Sequence, residues 1–256
     1  MKGYASDAQI LVMKVFGQNA NGSESTLFAA IEDAITLDCD VINMSLSSNS
    51  AGFGTSSDPR YQNILDHLKE KDVVICAASS NSGNWADSTN LNGKLKPGDI
   101  SFSTDGSPGT YTNTLAVAAS DPDSFQTDQS GKTSLRMNAA SFSSWGIPET
   151  LELKPEVSAP GVMILSSNGE SSNAGYDYRA GTSMATPAVA GMAGILSHWI
   201  NEQDLTTKLG RSKRFLQNSL LMSTAIPMKD EDGNYLPVLQ QGLEKSALIR
   251  RFMESF

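Results

Sequence analysis

A serine hydroxyl attacks a carbonyl only when a base takes its proton and fixed donors receive the charge that develops on oxygen. Ser183, inside "GTSMATPAVAG" (181–191), stands where part of that help is available. Gly181 allows a tight turn, Thr182 can cap a helix, and Ser183 then falls in the first turn. There backbone N–H groups lack intrahelical acceptors and the helix dipole is positive. The small residues that follow, Ala185, Ala188, Ala190, Gly191 and Gly194, let this helix lie close to a sheet. Pro187 gives up one ladder hydrogen bond and predicts a kink. Of the chain's two histidines, His198 is 15 residues on along the same predicted helix, about 22 Å away. A general base works at about 3 Å.

The elements that would position Ser183 alternate in type. "QILVMKVF" (9–16) predicts a buried strand. A helix follows over about 24–37, with Leu27, Ile31 and Ile35 on one face. "DVINMSL" (40–46) is a second strand, 59–71 an amphipathic helix opened by Pro59, and "VVICAAS" (73–79) a third strand. "TLAVAAS" (114–120) is a strand followed by a polar segment. Further helices are expected at 183–200 and about 211–225, and a short terminal helix or tail at 243–256. Strand–helix alternation at this spacing predicts right-handed βαβ units. The fold class is α/β, three-layer, with a mostly parallel sheet and helices on both faces. Reactive groups in such sheets lie beyond the carboxyl ends of the strands, which points to the stretches 45–52 and 79–85.

Composition narrows the functions. The chain has 256 residues, a net charge of −9 and 39% hydrophobic residues, enough for a sizeable core. Acidity argues against nucleic acid and anionic membrane as partners. Cys39 and Cys76 lie in or beside apolar runs and read as buried free thiols. No CxxC spacing suggests zinc. The first residues lack the pattern of a signal peptide, because Lys14 interrupts a short apolar run. No segment reaches membrane-span length.

"GTSMATPAVAG" closely resembles the nucleophile motif of the subtilisin-like serine proteases, the subtilases. The likeness extends over roughly residues 4–242, implies a subtilisin-like fold, and reads most like the large cell-envelope (lactocepin-like) branch. By that resemblance Ser183 is the nucleophile of an acyl-enzyme mechanism. "VVICAASSNSG" (73–83) is similar to the strand and loop carrying the oxyanion-hole asparagine, which falls on Asn81. Ser80 stands where the family has glycine. Ser45, Leu46 and Ser47 would pair with a peptide substrate as an added strand. Ala78, Ser79 and Ser80 would wall the specificity pocket, and Gly106 would form its base, with a cis Ser107–Pro108 bond. The pocket so inferred carries no charge at its base.

The family's aspartate and histidine motifs, Asp-Thr/Ser-Gly and His-Gly-Thr-His, occur nowhere in the chain. His67, near the end of the helix before strand 73–79, lies about 20 Å from Asn81 by strand rise. The sequence therefore reads as the C-terminal portion (1–242) of a subtilase catalytic domain, with nucleophile, oxyanion donor and cleft but no general base. The expected partners are a polypeptide substrate and the missing N-terminal segment of the same domain, the parent being secreted or at a bacterial-type cell surface. The alternative is a non-catalytic, peptide-binding relative. An α/β-hydrolase esterase fits poorly, since Ala185 breaks G-x-S-x-G. No cofactor or metal is called for. Calcium enters only through the resemblance, for the intact parent. "KDEDGNY" (229–235) and "SDPDSFQTD" (120–128) are acidic but lack EF-hand spacing.

Overall fold

The computed structural model describes residues 3–17, 22–47, 59–83, 105–127, 131, 133–146, 152–169, 175–230, 232–242 and 245–246. Its central sheet is built from β1 (Val41–Met44), β2 (Val74–Ala78), β3 (Leu115–Thr127), β4 (Thr133–Ala139) and β5 (Val157–Pro160). β1, β2, β3 and β5 run parallel, with Met44 opposite Ala77, Ala78 opposite Val117, and Ala119 opposite Ala159. β4 is antiparallel to the far half of β3.

Both sheet faces are covered. α1 (Glu24–Thr36) and α2 (Pro59–Glu70) lie on one side, where Ile31, Leu65 and Leu68 meet Ile75 and Ala77 of β2. α3 (Thr182–Glu202) and α5 (Lys213–Ser223) lie on the other, where Ala185, Val189, Met192 and Leu221 meet Val74, Cys76 and Val117. Alternate residues of a strand face opposite ways, so β2 is apolar throughout and fully buried. That is the pattern of a parallel strand covered on both sides.

Local signals set the helix ends. The Ser23 hydroxyl caps α1 by accepting from the Thr26 N–H at 3.2 Å, and Ser212 caps α5 through the Phe215 N–H at 3.2 Å. The Asp72 carboxylate, distant in sequence, accepts from the Lys213 and Arg214 N–H groups at 2.6 and 2.8 Å. It adds negative charge where the α5 dipole is positive. The short helix α4 (Leu205–Leu209) joins α3 to α5. Cys39 and Cys76 are both free thiols, and burial with nearby Glu156 pushes the Cys76 thiol up to about 12.

Two sequence expectations are corrected. Residues 9–16 form no strand: Ile10 and Val12 are more than four-fifths exposed, and only Phe16 bridges, to Gly22. An apolar, β-branched run favours a strand only where a neighbour completes the ladder, and among the described residues none does. The polar segment after residue 120 continues β3 to Thr127 and pairs with β4, with an irregular register between Pro122 and Ser124. Pro187 falls inside α3, whose span continues past it to Glu202. Of the terminal stretch 243–256, Lys245 and Ser246 lie among the described residues. β8 (Ala225–Ile226) pairs there with β9 (Lys245–Ser246), after a one-turn helix α6 (Val238–Gln241). The rest of 243–256 lies outside the described residues.

Candidate active site

Ser183 is the second residue of α3 and half-buried. The hairpin β6 (Ile164–Asn168) and β7 (Gly175–Arg179) delivers the chain to it. Gly161, just after β5, seats the start of this helix on the sheet. The Gly181 N–H donates to the Gly161 carbonyl at 2.8 Å. A Cβ at Gly161 would stand 2.6 Å from the Ala119 Cβ and 2.8 Å from the Gly181 oxygen, so glycine is required by contact alone.

Thr182 does not cap α3. Gly181 occupies the N-cap and makes no side-chain cap bond. Asn81 acts as the cap instead, reaching from the end of β2. Its Oδ1 accepts from the Thr182 N–H at 2.9 Å and from the Thr182 hydroxyl at 3.1 Å. With Oδ1 committed, Nδ2 is the side chain's donor. It lies over Gly181, where an added Cβ would be 3.5 Å from it. The Met184 N–H is taken by the Gly181 carbonyl at 3.0 Å. The Ser183 N–H lies between these two occupied groups, in a turn with no intrahelical acceptors. Asn81 is exposed and Ser183 half-exposed, so an incoming group can reach both.

The Asn81 loop is held firmly. Ser80 takes a φ of +88°, a left-handed conformation costly for a residue with a Cβ. This is where the subtilase pattern has glycine. The chain after β4 braces the loop. The Ser144 N–H donates to the Ser80 carbonyl at 3.0 Å, the Ser144 hydroxyl accepts from the Ser82 N–H at 2.8 Å, and the Gly83 N–H donates to the Phe142 carbonyl at 2.9 Å. A Cβ at Gly83 would come within 2.3 Å of the Ser143 carbonyl oxygen. No sequence signal marked Ser144. Only its neighbourhood in space reveals it.

The expected pocket residues divide. Ser45, Leu46 and Ser47 follow β1 and are half-buried. Ala78, Ser79 and Ser80 are fully buried, and the Gly106 N–H is bonded to the Ser79 carbonyl at 3.0 Å. The Ser107–Pro108 bond is cis. Beneath this turn lies a charged network. The Asp105 carboxylate accepts from the Gly106 N–H at 3.1 Å. The Lys154 ammonium, 2% exposed, donates to the Tyr111 and Thr114 carbonyls at 2.8 Å each and pairs with Glu156. Burial lifts the Asp105 carboxyl well above the usual carboxylate range, with Lys154 opposing and Glu156 adding to the rise. Nothing local in the sequence marks Asp105 or Lys154 as buried, and the sequence reading named neither.

Neither histidine approaches Ser183. His198 is exposed on α3 and sits 3.2 Å from Glu202. His67 is exposed near the end of α2, before β2, at the opposite end of that strand from Asn81. Among the described residues no three His, Cys, Asp or Glu side chains form a metal cluster. The "KDEDGNY" stretch is a turn in which Asp230 accepts from the Asn234 N–H at 2.8 Å.

The sequence profile of the subtilase family, Peptidase_S8, matches residues 1–242. The chain belongs to the subtilase family. Subtilisin E of Bacillus subtilis (strain 168) is 32% identical over 221 residues, covering 85% of this chain and 47% of that subtilisin. Subtilisin of Bacillus pumilus is 32% identical over 205 residues, 78% of this chain and 59% of the relative. This subtilase chain thus spans about half the length of the subtilisins it matches. Among solved structures it is similar to the patellamide maturation protease PatA (TM-score 0.68, 20% identity, 98% of this chain and 76% of that one). It is also similar to the prenylagaramide maturation protease PagA (TM-score 0.62, 23% identity, 94% and 71%). At these identities the likeness shows the fold, a subtilisin-like α/β architecture. Among the described residues no helix is long and apolar enough to cross a membrane.

Proposed function

We propose that this subtilase chain carries the acylation half of a serine endopeptidase site. Ser183 Oγ attacks the carbonyl carbon of a substrate peptide, and its proton passes to a general base. The carbonyl oxygen becomes an oxyanion and is received by Asn81 Nδ2 and the Ser183 N–H. The C–N bond then breaks, the amine leaves with a proton, and an acyl-enzyme remains for water to hydrolyse. Ser45, Leu46 and Ser47 would hold the peptide as an added strand, and Gly106 with Ala78–Ser80 would shape the pocket.

One observation carries this reading. The Asn81 carboxamide is bonded to Thr182, the neighbour of Ser183, across 101 residues of sequence. The bond caps α3 and, in doing so, holds the carboxamide beside the residue that precedes Ser183.

The general base has to come from outside this chain, since His67 and His198 are both remote. The whole protein is then a secreted or surface peptidase. The placement of the two histidines favours one rival, a peptide-binding relative without turnover. A fluorophosphonate probe applied to the full-length protein separates the two. Labelling of Ser183 with loss of peptidase activity supports the peptidase. An unlabelled protein inert on denatured casein refutes it.

A further inference from the structure

We infer that Ser144 is a positioning residue for the oxyanion donor. This rests on the peptidase reading above and deepens it. Two peptide units flank the Asn81 Cα, and Ser144 holds both. Its N–H donates to the carbonyl of the 80–81 peptide at 3.0 Å. Its hydroxyl accepts from the N–H of the 81–82 peptide at 2.8 Å. The backbone torsions of Asn81 are bracketed by one residue, itself fully buried. The Asn81 side chain is held separately, by Thr182. The donor is therefore fixed at both ends, by a residue 63 positions later and by one 101 positions later.

The brace has a reason. Ser80 sits at φ +88°, a conformation that a serine adopts only under external constraint. Released from the Ser144 hydroxyl, the loop can relax toward commoner torsions and carry Nδ2 off its line. The neighbouring Ser143 serves a different element. Its hydroxyl accepts from the Ala119 N–H of β3 at 3.0 Å, and it is equally buried. Ser143 is thus a matched control, with the same residue type and the same kind of bond, its hydroxyl spent on β3 and its backbone alone lying against the Asn81 loop at Gly83.

The test uses the full-length protein with a chromogenic peptide and a peptide boronate, which forms a tetrahedral adduct with a serine nucleophile. Ser144→Ala should lower kcat about tenfold, a fraction of the 10²–10³ lost when an oxyanion donor is removed outright. KM should stay within twofold, and boronate affinity should fall in step with kcat. Ser143→Ala should lower Tm comparably and leave kcat within twofold. Equal kcat losses in the two variants, no loss in Ser144→Ala, or a loss confined to KM would overturn the assignment. Should Ser144→Ala not fold, Ser144→Thr and Ser144→Cys decide. The threonine keeps an oxygen acceptor and retains kcat; the cysteine offers sulfur and loses it. The reverse order sinks the proposal. A wild-type protein that neither turns over nor reacts with a fluorophosphonate removes the peptidase reading, and this inference with it. An active wild type with an indifferent Ser144 removes the inference alone.

Discussion

On the function proposed above, Asn81 does two jobs that a pair of substitutions can separate. Its Oδ1 accepts two hydrogen bonds from Thr182, at 2.9 and 3.1 Å, and so caps α3. Its Nδ2 remains for an oxyanion. Asn81→Ala removes both functions. Asn81→Asp keeps an oxygen toward Thr182 and adds a charge that the α3 dipole favours, while it deletes the donor. Losing the cap costs about 1–2 kcal/mol, which in a domain of this size lowers Tm by roughly 2–8 °C. The aspartate should hold wild-type stability or exceed it by about 0.3–1 kcal/mol of dipole interaction. Losing the donor costs about 10²–10³ in kcat. In the full-length protein, then, Asn81→Ala should lose both stability and turnover, and Asn81→Asp should lose turnover alone. Calorimetry and peptide hydrolysis on the two variants measure this. An aspartate variant that cleaves within threefold of wild type would refute the oxyanion role. An alanine variant with unchanged Tm would refute the capping role.

The isolated 256-residue chain should hydrolyse a fluorogenic peptide about 10⁶-fold more slowly than the full-length enzyme, the scale of triad loss; turnover near the full-length rate that vanishes in Ser183→Ala would contradict a base outside the chain. Gly83→Ala forces a methyl to 2.3 Å from the Ser143 oxygen, and a urea melt should show a loss of about 1–3 kcal/mol or more. Truncating Lys154 to Met leaves Glu156 and two carbonyls without their donor in the interior, and should destabilise by about 3–5 kcal/mol. Asp105 has a raised folded pKa, so its proton stabilises the fold below the unfolded value near 4 and that contribution is lost as pH rises through the folded value. Asp105→Asn should therefore gain in Tm relative to wild type between pH 5 and pH 8; a constant difference across that range would refute the burial argument.

Much of this was legible before any coordinates. α1 announced itself through Leu27, Ile31 and Ile35, and β2 through an unbroken apolar run bounded by polar turns. That Asn81 would lie beside the start of α3 was readable because the motifs around Ser183 and Asn81 are long and specific. The failures share a physical cause, dependence on partners far away in sequence. "QILVMKVF" has strand composition, but a strand exists only when another strand meets its hydrogen-bonding groups. β3 beyond Ser120 is polar and holds Pro122, yet β4 draws it into a ladder. Ser144 is one serine among many until the fold sets it against both sides of Asn81. Lys154 looks like a surface lysine by type, and the Glu156 carboxylate with the Tyr111 and Thr114 carbonyls makes its burial tolerable.

A carboxamide is two-faced, and free in solution either face could greet an arriving carbonyl. Here the choice is made before any substrate comes. Turning the Asn81 group over would set its NH₂ against the Thr182 N–H and forfeit that bond (the Thr182 hydroxyl can turn to accept instead), so the site keeps its polarity while empty. On the proposed reading, a substrate that docks spends nothing on reorienting the dipole that would receive its charge, and the same helix that carries Ser183 keeps that dipole in register with it.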